Sequence, residues 1–142
     1  MGVTISCKKT GRSIDMGYFG FNNLRNRVAK LVGEPFASHY DGLNHAPFLG
    51  EARKEYFEKF DRRTAELLET KQVSIKIVDF CLQPDAGGSI RYGACKEILK
   101  IIGDYDDNVL YGYSGRPDCA MFKDFKAILQ ECVDRKCDLV WC

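Results

Sequence analysis

The sequence predicts an α+β fold, with about four helices packed on a small, mainly antiparallel sheet that includes both termini. Three observations carry this. Apolar and polar side chains alternate at Val3–Cys7, apolar residues recur at three- and four-residue spacing in several longer segments, and an apolar run, Leu139–Trp141, closes the chain.

Taken in order, Val3–Cys7 reads as a strand, Lys8–Arg12 as a turn, and Ser13–Met16 as the returning strand of a hairpin. Phe21, Leu24, Val28 and Leu31 then lie on one helical face, with Arg25, Arg27 and Lys30 on others, so a helix is expected from about Phe21 to Val32, stopped by Gly33 and Pro35. Between Glu34 and Asn44, punctuation by Pro35, Asp41 and Gly42 leaves room for a brief helical piece at most. A long amphipathic helix from about Pro47 to Thr70 follows, with Leu49, Ala52, Tyr56, Phe60, Thr64 and Leu67 as its buried stripe. Val73–Leu82 satisfies both strand and helix periodicity and is left open. After the breaker Pro84–Gly88, Ser89–Ile90 is short enough to pair only briefly as strand, and Tyr92, Cys95, Ile98, Leu99 and Ile102 define another helix. Val109–Tyr113 is compatible with a strand, Ser114–Pro117 with a turn, and Phe122, Phe125, Leu129 and Cys132 with a last helix to about Asp134. Cys137–Cys142 reads as a terminal strand whose natural partner is the N-terminal hairpin, because pairing there ties down both chain ends.

At 142 residues the chain is sized for one domain, 1–142, without a linker of low complexity. A hydrophobic content of 45% and charged content of 29% exclude a disordered or fibrous class. No apolar run is long enough to span a bilayer and no secretory signal is recognisable, so a cytoplasmic location and no membrane partner are expected. The seven cysteines are an odd number and several occupy apolar positions, which points to core filling in a reducing compartment. Net charge is +1, so nucleic acid is not expected as the main partner; yet Met1–Val32 holds six basic residues against one acid, and such asymmetry can draw an anion to one side.

The segment Arg12–Arg27 joins glycines, aromatic rings and arginines at the entry of a helix. Unpaired N–H groups, close backbone approach and stacking rings suit a nucleotide or phosphate, with Arg12, Tyr18, Arg25 and Arg27 nearest the ligand. The competing reading has Tyr18, Phe19 and Phe21 anchoring a strand-to-helix corner. No phosphate-loop or dinucleotide fingerprint is present. Gly112–Asp118 is a second turn feeding a helix, where Arg116 offers a fork to a phosphate or carboxylate. Asp104, Asp106 and Asp107 form an acidic loop suited to a basic protein partner, since the EF-hand pattern does not fit around Gly88. Cys132, Cys137 and Cys142 repeat every five residues, but no short zinc knuckle accompanies them, so core packing is favoured and no metal or cofactor is expected. His39 and His45 are the only candidates to activate a thiol.

At Ser13–Tyr18, Ile102–Asp107 and Tyr111–Arg116 the chain resembles small uncharacterised proteins of phages and prophages of Gram-positive bacteria. The resemblance implies context rather than chemistry: a non-catalytic accessory factor that captures a host molecule, either a nucleotide-type signal or a host defence protein, with homo-oligomerisation left open. The alternative is a small hydrolase or transferase using a cysteine or carboxylate.

Overall fold

A computed structural model describes residues 2–111 and 121–142. Four strands form one antiparallel sheet in the order β2-β1-β4-β3, namely β1 (Gly2–Cys7), β2 (Ser13–Gly17), β3 (Gly88–Ile90) and β4 (Leu139–Trp141). The expected hairpin is present, with Val3 opposite Met16 and Ile5 opposite Ile14. The expected pairing of the two chain ends is present too, with Ile5 opposite Trp141. Alternation works as anticipated in β1: Val3, Ile5 and Cys7 are fully buried, while Gly2, Thr4 and Ser6 are half-buried on the other face.

Among the described residues six α-helices accompany the sheet rather than four: α1 (Tyr18–Val32), α2 (Phe36–Asp41), α3 (Gly50–Glu69), α4 (Ile75–Leu82), α5 (Tyr92–Ile102) and α6 (Phe122–Arg135). The two extra helices are short. α2 lies where only a brief helical piece was expected, and it continues into a 3₁₀ turn at Gly42–His45. α4 settles the ambiguous stretch as helix. Its decisive signal is Ser74, whose hydroxyl caps the helix by accepting the Lys76 backbone N–H at 3.2 Å. Val109–Tyr113 is not a regular strand over its described residues, where Leu110 forms a single antiparallel bridge with Met121.

The core lies between one face of the sheet and α1, α4, α5 and α6. At its centre Phe21, Phe80 and Trp141 pack edge-to-face or tilted with ring centroids 5.8 to 6.2 Å apart, and Phe125 stacks on Phe80 at 5.7 Å. Helix α3 departs from its expected stripe. Phe60, Thr64 and Leu67 are buried, but Phe48 and Leu49 are 91% and 83% exposed and Ala52 is exposed, because only the C-terminal half of α3 reaches the core. His39 joins α2 to α3 by stacking on Phe60 at 4.0 Å. Among the described residues, no helix is long and apolar enough to cross a membrane.

Candidate functional site

Helix α1 presents Asn23, Asn26, Arg27 and Lys30 at the i, i+3, i+4, i+7 spacing that places side chains on one face. That face borders a groove of about 770 Å³, closed on its other sides by α2, Asn44 of the 3₁₀ turn, and Val109–Tyr111. The volume falls in the range of small-molecule sites. Arg27 is the best-positioned cation: its guanidinium lies 4.9 Å over the Tyr105 ring. Burial in turn raises the Tyr111 pKa, keeping the phenol neutral. Lys30 is exposed on the next turn. Among the described residues the groove's two acids are engaged internally, Glu34 accepting from the Ser38 hydroxyl at 2.6 Å and backbone N–H, and Asp41 from Asn44 Nδ2 at 3.0 Å.

The arginine and aromatic residues expected to converge do not. Arg12 sits in the hairpin turn, roughly 17 Å of strand from Gly17 at 3.4 Å per residue. Tyr18 is 38% exposed at the first position of α1. Arg27 begins a third turn, roughly 13 Å further along the helix axis. Arg25 is a correction: it is 4% exposed, not ligand-facing. Its guanidinium lies 4.2 Å from the Phe21 ring centroid and 5.5 Å from Trp141, and its Nη1 donates to Asp85 at 3.1 Å. A helical wheel sets Arg25 beside Leu24 and Val28, and its long stem reaches the aromatic cluster from there. Of the named ligand residues that are described, Arg27 alone lines the groove. Arg116 and the Gly112–Asp118 turn lie outside the described residues.

The glycine of the Gly17–Gly20 corner has a packing role. A Cβ on Gly20 would collide with the Tyr111 backbone carbonyl, so glycine there admits a crossing chain segment. The acidic loop is likewise structural in large part. Asp107 pairs with Lys126 at 2.6 Å, and Asp106 accepts the Asn108 N–H at 2.9 Å; Asp104 is exposed. Neither histidine contacts a thiol among the described residues. His39 Nε2 lies 2.8 Å from the Thr64 hydroxyl, which itself donates to Phe60 O, so the ring nitrogen is the donor. His45 faces Asp41.

A second feature was not visible from spacing. Cys7, Cys132 and Cys137, from β1, α6 and the turn before β4, place their sulfurs within 4.8 Å of one another. Cys7 and Cys137 are 3.0 Å apart, while Cys95, buried on α5, stands outside this group of three. Burial alone would raise the Cys7 pKa, but hydrogen bonds from Cys137, the Thr10 hydroxyl and the Thr10 and Lys9 N–H groups outweigh it and lower the value to about 7. Cys132 is raised, first by its bond with Cys95 and then by burial, and Cys81 is pushed up to about 12 by burial.

No family model matches the chain, and no curated protein or solved structure proves similar to it.

Proposed function

We propose that the protein is a non-catalytic binding protein whose groove between α1 and α2 captures a phosphorylated small molecule of the nucleotide type. The observation that carries this reading is the single helical face Asn23-Asn26-Arg27-Lys30 along a groove of ligand size. Arg27 supplies a planar fork resting on the Tyr105 ring, and Lys30 a mobile point charge; together they suit a phosphate. The asparagine amides offer both donors and acceptors for a base or sugar. The phage-protein resemblance fits such a sequestering role. Two features favour binding over hydrolysis or transfer: the histidines are committed to Thr64 and Asp41, and the described groove residues include no cysteine.

The test is calorimetry and thermal shift against a panel of nucleoside mono-, di- and triphosphates and cyclic nucleotides. A ligand present at a hundred times its Kd raises stability by about 2.7 kcal/mol. Loss of a charged hydrogen bond costs about 1.5 to 3 kcal/mol, so Lys30→Ala and Arg27→Lys should each weaken binding by about ten- to a hundredfold. Arg12→Ala, remote from the groove, should leave affinity unchanged. No stabilisation by any member of the panel at millimolar concentration refutes the reading, as does binding that Arg12→Ala removes and Lys30→Ala spares.

A further inference from the structure

We infer that Cys7, Cys132 and Cys137 form a three-thiolate binding site for a thiophilic divalent cation, zinc being the natural occupant. Three thiols from three separate elements converge on one point, and Cys7 and Cys132 are fully buried. Zinc–sulfur bonds of about 2.3 Å in a tetrahedron separate the sulfurs by about 3.8 Å, which lies between the 3.0 Å of Cys7–Cys137 and the 4.8 Å bound on the cluster. Small side-chain adjustments therefore equalise the edges without moving the backbone.

Cys7 and Cys132 are fully buried and Cys137 is half-buried, so an entering ion reaches two otherwise enclosed thiols past Cys137. A disulfide between Cys7 and Cys137 would use the close pair but give no reason for Cys132 to join it. On binding, each zinc–sulfur bond replaces a thiol S–H, and the protons pass to solvent. The site would tie β1, α6 and the start of β4 together at the edge where both chain ends meet.

The experiment uses the full chain, purified with reductant and without added chelator, with zinc measured by mass spectrometry of the metal and cobalt(II) titrated into protein stripped by an organomercurial. The expected result is one zinc per chain, the strong visible bands of tetrahedral thiolate cobalt, and a fall in Tm when metal is removed. Cys137→Ser, at the half-buried rim and so least disruptive to folding, should lose the cobalt spectrum. Cys142→Ser, an exposed cysteine outside the cluster, should keep it. Folded, fully reduced wild-type protein that takes up neither metal overturns the proposal altogether, and so does a Cys7–Cys137 disulfide found after trapping thiols at lysis. Because the cobalt titration reads wild-type protein, it decides the matter even where a variant fails to fold.

Discussion

The buried guanidinium of Arg25 makes a quantitative prediction about what a lone partner contributes to stability. Its side chain is 5% exposed, and Asp85, 44% exposed, is its ionic partner at 3.1 Å; Nε and Nη2 have no hydrogen-bond partner among the described residues. Burial lowers the Arg25 pKa, with the Asp85 charge opposing that shift, but an arginine remains charged. Removing one member of a fully buried pair costs about 3 to 5 kcal/mol, whereas an exposed pair contributes about 0 to 1. With Asp85 partly solvated, Asp85→Asn should cost about 2 kcal/mol, placed between those limits. For a chain of 142 residues the unfolding entropy near 60 °C is about 300 cal/mol/K, so Tm should drop by about 7 °C. Arg25→Met behaves differently. It forfeits cation–π attraction worth about 2 kcal/mol in a desolvated cage, but relieves two buried unpaired donors and leaves an apolar chain against Phe21 and Trp141, so its net cost should stay below about 1 kcal/mol. In that background Asp85→Asn should be nearly silent. Urea unfolding of all four proteins closes the cycle, and an Asp85→Asn cost that is the same with arginine or methionine at position 25 would refute the assignment.

Two glycines should respond with opposite sign. Gly20→Ala places a Cβ against the Tyr111 backbone carbonyl, which has no flexible end to give way, so an overpacking cost of about 3 kcal/mol outweighs the roughly 1 kcal/mol gained in helix propensity. Gly93→Ala on α5 meets only the Lys76 side chain at 3.5 Å and should stabilise by about 0.5 to 1 kcal/mol; thermal melts giving both variants the same sign would contradict the packing described. His39 should confer acid sensitivity. Burial, then the Arg63 charge, hold its folded pKa below the ordinary 6.5, so the unfolded chain binds the extra proton first. Its stabilising contribution is therefore complete above pH 6.5 and declines as pH falls from there through the folded pKa. The difference in stability between wild type and His39→Gln, measured by urea unfolding from pH 5 to 8, should shrink on the acid side; a pH-independent difference would exclude a titrating His39.

Much of the fold was legible because its signals are local. Alternation in Val3–Cys7 fixed both the strand and its buried face, and Gly33 marked the end of α1. Helix α5 has the extent expected from Tyr92–Ile102, and α6 ends one residue past the expected Asp134. Where the reading failed, a tertiary contact overrode the local pattern. Periodicity assigns the whole stripe from Leu49 to Leu67 to the core, but nothing covers the first turns of α3 among the described residues, and only packing could reveal that. Charge suggested that Arg25 faces solvent, whereas an aromatic cage and Asp85 make burial tolerable. The groove face was in the sequence all along as Asn23, Asn26, Arg27 and Lys30. Attention to arginines and glycines drew the site instead toward Arg12 and Tyr18, which the strand and helix rises carry apart.

The thiols show the limit of spacing as an argument. Cys132, Cys137 and Cys142 form the only regular cysteine repeat, and it misleads in one member: Cys142 is exposed after β4, outside the cluster. The partner that takes its place is Cys7, 125 residues before Cys132, and it is delivered by sheet order rather than by sequence. Because β1 pairs with β4 with Cys7 opposite Leu139, the residues just before β4 must fall beside the end of β1. Helix α6 then ends at Arg135, the left-handed Lys136 reverses the chain, and Cys137 is turned back toward Cys132, whose carbonyl accepts its N–H at 3.1 Å. Any variant that unpairs β1 from β4 should therefore dissolve the sulfur cluster, with loss of the cobalt spectrum as the readout.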